Sequence, residues 1–433
     1  MSGTALPTEA LKSHSGIFGR DRLVRMMGRY SLSAVGPVAT SGAHFLASLI
    51  ILHHMTRAQF GQFSFLLVIV PFGISLSSGL LGAPLVSAIG KPESVGAAAR
   101  ASFRAVNRIY CLLVGLVTAG LMFVSGAEAV SAVLLGVYGA AMAMRWFARC
   151  TAYYSDHAVS AAVSDIVYSA GLIAGLCFLV FGGSLTMIHA GGVLMVSSLL
   201  SLLPFGWDFL RLQFGALERA ALPEYGPIWR DVTRWSLLGV ALSEVTANAH
   251  AYLVTFVAGT HAFAPLAAGA LLIRPLSLVL TALPDRERPL IAHSLAAGNM
   301  AGAVSAIHEF RLVAVAAWMG TVLLSAAVFV WYPHIVIRDG FDPHEVMWVV
   351  ALWSVIIAAR AARAGDATFL QGAGAFDGLA RAAVPPGIAS LVGTLVLLLI
   401  GGPLWSLGGI LIGEWLTTFN IFALKRKWMR EHA

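Results

Sequence analysis

Arg274 interrupts the apolar run AAGALLIRPLSLVL (267–280), with Pro275 directly behind it. A guanidinium in such a setting either binds an anion or pairs with a carboxylate, because an isolated arginine at a membrane-helix centre costs roughly 2.5–3.5 kcal/mol or more. Glu244 lies in WSLLGVALSEVTANAHAYLVTF (235–256), and Glu244, Asn248 and Tyr252 follow i, i+4, i+8 spacing, which places them on one helix face. Glu244 is nine residues past Trp235 and Arg274 nine before Leu283. At ~1.5 Å per residue both sit about 14 Å deep on antiparallel spans. Two readings stay open: a Glu244–Arg274 ion pair, or both groups facing a hydrated cavity with Arg274 free for a phosphate. Arg145 and Arg149, one helical turn apart, pair with Asp165 near Tyr168 or line the same cavity; Arg29 is a further basic candidate. Glu414 lies near the middle of the last apolar stretch with no evident partner, a candidate for carrying a proton or ion.

These residues need helices to hold them. Of 433 residues 58% are hydrophobic and 11% charged, against about 25% charged in a soluble domain. Apolar segments recur at lengths that cross a hydrocarbon core of ~30 Å. The expected architecture is all-α and polytopic, with spans at 31–53, 60–89, 108–125, 128–149, 158–181, 187–206, 235–257, 262–283, 311–332, 345–363, 382–400 and 403–424. Pro71 and Pro84 predict a kink or break in the second span. An outer-membrane barrel is excluded by the lack of alternating ten-residue segments. Of the 28 Lys and Arg, all but Arg57, Arg338 and Arg274 fall in alternate loops or span ends, which assigns both termini to the cytoplasm. The net charge of +7 then reflects topology and anionic headgroups rather than nucleic acid.

The expected organisation is a basic amphipathic segment (1–30), a six-helix bundle (31–206), an amphipathic connector broken by Pro223 and Pro227 (207–234), a second six-helix bundle (235–424) and a basic tail (425–433). RYSLSAVGPVATSGAHFL from Arg29 aligns with RWSLLGVALSEVTANAHAYL from Arg234, matching His44 to His250 as packing residues, and LVIVP (67–71) aligns with LLIRP (271–275). Two six-helix halves inserted in the same sense form a transporter architecture with a site between them. Arg274 occupies the place of Val70, so the charge belongs to one half alone. No cofactor is expected. Cys111, Cys150 and Cys177 are scattered, the histidines show no metal-ligand spacing, and no Walker A sequence or signal-peptide pattern occurs.

Several stretches resemble the Wzx-like polysaccharide flippases of the multidrug/oligosaccharidyl-lipid/polysaccharide exporter superfamily. They are MTRAQFGQFSFLLVIVPFGISLSSGL with Phe60-Gly61-Gln62-Phe63-Ser64, ARCTAYYSDHAVSAAVSDIVYSAG, AAGALLIRPLSLVLTALPDRERPLIA and FLQGAGAFDGLARAA. The resemblance covers essentially all twelve spans; FAPLAAGA after the seventh departs from the family's usual Val-Gly-x-Tyr. It implies two bundles around a cationic cavity and alternating access that moves a polyprenyl-diphosphate-linked oligosaccharide to the periplasmic leaflet of a bacterial inner membrane. It also implies a polysaccharide polymerase and glycosyltransferases as partners. Diphosphate suits guanidinium forks, which makes Arg274 the leading substrate residue. A drug or metabolite antiporter of the same superfamily is the alternative, with carboxylates in place of the cationic cavity. A glycan polymerase or ligase is disfavoured because the largest outward loop, 333–344, is only a dozen residues.

Overall fold

Lipid offers no water to backbone N–H and C=O groups, so spanning segments satisfy them internally as helices. The computed structural model describes residues 20–82, 84–85, 97–155, 157–215, 219–337 and 340–432, and no strand occurs among them. The first bundle holds α1 (Arg20–His54), α2 (Arg57–Ser77), α3 (Ala97–Val124), α4 (Ala129–Tyr154), α5 (Ala158–Phe181) and α6 (Met187–Leu200). The second holds α7 (Arg234–Ala258), α8 (Thr260–Leu271), α9 (Arg274–Ala296), α10 (Met300–Trp331), α11 (Pro343–Gly372), α12 (Phe376–Gly401) and α13 (Ser406–Glu431). Among the described residues ten helical stretches are long and apolar enough to cross a membrane on their own. The two remaining crossings are α1, through Val38–His54, and the α8–α9 pair. The chain is therefore a multi-pass membrane protein of twelve crossings in two six-helix bundles.

Local chemistry explains the boundaries. Thr56 and Gln59 form a reciprocal capping box that starts α2, and Asn299 and Asp342 cap α10 and α11 through Gly302 N and His344 N. The expected distortion of the second span is present: Pro71 lies inside α2, and the helix widens into a π turn at Ser78–Gly82. Its mate in the repeat acts differently. Pro275 has no N–H to continue the helix, the N–H groups of Leu272 and Ile273 turn back to Gly269 and Ala270, and a new helix starts at Arg274. One expected span is thus two helices, and α9 leaves α7 to pack on α10 and α11.

The terminal segments also differ from expectation. α1 begins at Arg20 and α13 runs to Glu431, so the basic ends continue the first and last spans as far as they are described. Residues 1–19 and Arg338 lie outside the described residues. The connector holds a helix at Trp207–Phe214, a tight turn containing Pro223, a single turn at Tyr225–Ile228, and a π turn at Trp229–Thr233 leading into α7. Arg108 on α3 seals the C-terminus of the Trp207–Phe214 helix by donating to the carbonyls of Leu212 and Gly215, where a cation offsets the helix dipole.

The bundles meet mainly where α2 packs on α7 and α8. Helix association in lipid draws on close packing and interhelical polar bonds rather than on hydrophobic transfer. Gly61 supplies the close packing, because a Cβ there would overlap the carbonyl of Thr260. Beside it the ring of Phe65 takes the edges of Tyr252, Phe256 and Phe263 at 5.4, 5.7 and 6.4 Å. Arg57 supplies the polar bonds at the end of the molecule opposite the termini. Its Nε donates to His261 O and its Nη1 to Gly340 O, both at 2.8 Å, with Glu345 3.9 Å away. At this far end the two bundles are held together.

Candidate functional site

Three carboxylates among the described residues are exposed by 1% or less: Asp165, Asp366 and Glu414. Each is held by two cations. Asp165 on α5 receives Arg145 Nη2, with Arg149 Nη2 3.2 Å from its second oxygen. α5 approaches α1 closely enough for this because residue 36 is glycine; a Cβ there would collide with the Asp165 carboxylate. Arg145 also donates to Ser164 Oγ at 3.1 Å and lies over the Tyr168 ring at 4.5 Å, a cation–π arrangement that suits a desolvated guanidinium. Tyr168 continues the network, its hydroxyl 2.7 Å from His44 Nε2 and 3.0 Å from the Tyr138 hydroxyl.

Glu414 on α13 has the same composition around it in the second bundle. Arg360 Nε donates to Oε1 at 2.8 Å and Arg363 pairs with Oε2, while Arg363 Nη1 reaches the Glu414 carbonyl at 3.2 Å and Thr418 Oγ1 at 3.4 Å. Asp366, one turn further along α11, is bridged by Arg311 of α10 and Lys425 of α13, both at 2.6 Å. Arg360, Arg363 and Asp366 follow i, i+3, i+6, so the two second-bundle clusters form one ladder along α11. A carboxylate neutralises one of its two cations; each cluster therefore keeps one surplus positive charge in a desolvated setting. Arg149, Arg360 and Arg363 retain side-chain exposures of 22%, 26% and 17%, so the surplus charge is reachable.

Of the two readings of Glu244 and Arg274, the direct ion pair is not formed. Arg274 Nη1 instead reaches Ser48 Oγ on α1, at 3.4 Å across the two bundles, and Ser48 in turn donates to His44 O. The Glu244 carboxylate accepts from Asn248 Nδ2 at 2.8 Å. The helix break at 272–273 is the physical reason, because it turns Arg274 away from α7 toward the opposite bundle. Tyr252 packs against Phe65 and Phe72 in the seam between bundles, with its hydroxyl buried and unpartnered. Arg29 lies on α1, and its side chain is outside the described residues. His44 makes the packing hydrogen bond expected of it, to Tyr168, whereas His250 packs against Trp353 and Phe263 at ring distances of 5.3 and 6.1 Å with its Nδ1 buried and unpartnered.

Reading the sequence alone missed Arg360, Arg363, Arg311, Asp366 and Lys425 as site residues. Glu414 does have partners, contrary to expectation, and α11 supplies them, because it continues beyond residue 363 to Gly372 and keeps both arginines within the helical bundle. The i, i+3, i+6 spacing of Arg360, Arg363 and Asp366 was the available signal.

No family model and no curated protein matches this chain. Solved structures do. A multidrug resistance MATE family transporter of the MOP superfamily in its inward-facing conformation superposes with a TM-score of 0.72 at 13% identity, covering 92% of this chain and 98% of that one. The fold is that of the MATE transporters. The eukaryotic MATE transporter AtDTX14 superposes at 0.59 and 15% identity, covering 93% and 98%. A MOP superfamily transporter from Pyrococcus furiosus Vc1, described as having a binding pocket of reverse polarity that suggests a different function, superposes at 0.59 and 14%, covering 93% and 94%. All three neighbours are transporters, and two bundles arranged around a shared seam are common to the fold.

Proposed function

We propose that this protein is an alternating-access flippase that carries a polyprenyl-diphosphate-linked oligosaccharide from the cytoplasmic to the periplasmic leaflet, as the resemblance to Wzx-like proteins implies. The observation that carries the proposal is the two-to-one ratio of cations to carboxylates around all three buried acids. Burying a charge costs several kcal/mol per ion even after relaxation, so a fold that needed only structural pairing would match one cation to one acid. The surplus suits a diphosphate, whose oxygens accept forked guanidinium bonds. Arg274, which has no carboxylate partner among the described residues, adds a further cation where the two bundles meet. Rocking of one bundle against the other would expose these groups to each side in turn, driven by a gradient or by substrate supply. Arg149, Arg274, Arg360 and Arg363 are the proposed head-group residues, and Asp165, Glu414 and the buried Arg145 set their geometry. The glycan-assembling enzymes remain proposed partners, and the basic side of the molecule is taken as cytoplasmic.

A second reading, a cation-coupled drug or metabolite antiporter, is supported by Glu244, whose carboxylate accepts from the neutral Asn248, and by the multidrug MATE neighbours. Proteoliposomes separate the two. Under the flippase reading, the purified protein accelerates leaflet exchange of a labelled polyprenyl-diphosphate glycan, and Arg360→Gln with Arg363→Gln abolishes that exchange. Uptake of an organic cation that survives the arginine changes and fails in Glu244→Gln would establish the antiporter instead.

A further inference from the structure

The connector contains a site independent of the translocated substrate. Where α6 ends and the Trp207–Phe214 helix begins, Leu199, Leu203, Trp207, Leu210 and Phe214 wall a cleft of about 400 Å³, within the ~300–1,000 Å³ of ordinary ligand sites. The walls are aliphatic and aromatic, and Arg211 stands exposed at the rim. The cleft is held open by construction. Asn107 Nδ2 meets Gln213 Oε1 at 3.4 Å and Arg108 seals the helix end, so the short helix is pinned to α3 and cannot fold down over its own apolar face. Trp207 and Phe214 are consequently 75% and 64% exposed although both belong to the wall.

Charge and depth identify the occupant. The cleft lies where a membrane-crossing helix ends and an amphipathic helix begins, at the level of lipid headgroups. Arg108 on α3 lies against the C-terminus of the same short helix and Arg211 stands on the helix itself, so the approach is basic, with Asp208 the opposing charge. A tryptophan and an arginine at such a level anchor to headgroups. We propose that this cleft binds one anionic phospholipid, an acyl chain lying along the Leu199–Phe214 walls and the phosphate at Arg211. The bound lipid fills the apolar gap between connector and bundle and so steadies the joint between the two halves.

The test uses the full-length protein in detergent and native mass spectrometry with added phosphatidylglycerol or phosphatidylcholine of matched chains. One tight site with about fivefold preference for phosphatidylglycerol is expected, the worth of one basic residue at an anionic surface. Arg211→Gln should remove the preference while leaving some lipid bound, and Leu203→Trp, at an already exposed position, should fill the cleft and remove the site altogether. Thermal unfolding without added lipid checks that both variants fold. Equal binding of the two lipids by the unaltered protein, a preference that survives Arg211→Gln, or a tight site that survives Leu203→Trp would each overturn the proposal.

Discussion

Arg57 is the residue whose removal should most directly change the conformational balance. Its Nε and Nη1 donate to carbonyls of the opposite bundle, one in the first turn of α8 and one in the loop before α11, and it also lies over the Phe341 ring at 5.2 Å. Hydrogen bonds from a charged donor contribute roughly 1.5 kcal/mol or more each. The Glu345 contact, at 3.9 Å with both side chains about a third exposed, adds less than ~1 kcal/mol. Taking the two carbonyl bonds alone, Arg57→Ala weakens far-end closure by about 3 kcal/mol, a shift of roughly 100-fold in the closed-to-open ratio. Thr260 reports the change, being 7% exposed beneath Gly61. With Cys111, Cys150 and Cys177 replaced, Thr260→Cys should react slowly with a membrane-impermeant maleimide applied to the far side and roughly 100-fold faster after Arg57→Ala. Arg57→Lys should fall between, since an ammonium cannot present the same fork to two carbonyls. An unchanged labelling rate in Arg57→Ala, with the protein folded, would refute the assignment of Arg57 as the far-end tie.

Asp165→Asn leaves two arginines without their carboxylate in a buried setting and should cost about 3–5 kcal/mol, read as a lowered unfolding midpoint. Gly61→Val places side-chain atoms on the Thr260 carbonyl, so under the proposed function flux should fall sharply while each bundle stays folded, as judged by circular dichroism and flux in the same proteoliposomes. Arg274→Lys should keep more flux than Arg274→Ala if its charge meets substrate; equal loss in both would assign it to the Ser48 contact between bundles. Glu414→Gln should destabilise the second bundle through Arg360 and Arg363 with no effect on Arg57-dependent labelling, because the Glu414 cluster joins α11 to α13 and the Arg57 tie lies at the far end.

Much of the architecture was legible in one dimension because its causes are local. Apolar length specified the crossings, proline marked the distortion of the second span, and turn residues marked the connector, whereas the break of the eighth span was not foreseen. The site was only half legible for the opposite reason. The pairing of Arg145 and Arg149 with Asp165 could be read, since the partners lie on consecutive spans. Glu414 finds its arginines more than fifty positions away on α11, and Ser48 meets Arg274 across 226 positions. No periodicity encodes such meetings.

Arg274 shows where the division falls. The amino-acid sequence by itself determined that a guanidinium enters an apolar span behind which the backbone lacks an N–H, because residue identity decides both facts. Which group that guanidinium meets was decided by the tertiary structure. The backbone turn at Leu272 and Ile273 directs α9 away from Glu244, and the docking of the two bundles brings Ser48 to it. Helix formation in a membrane responds to neighbours a few residues apart, whereas an ion's partner depends on how whole helices pack.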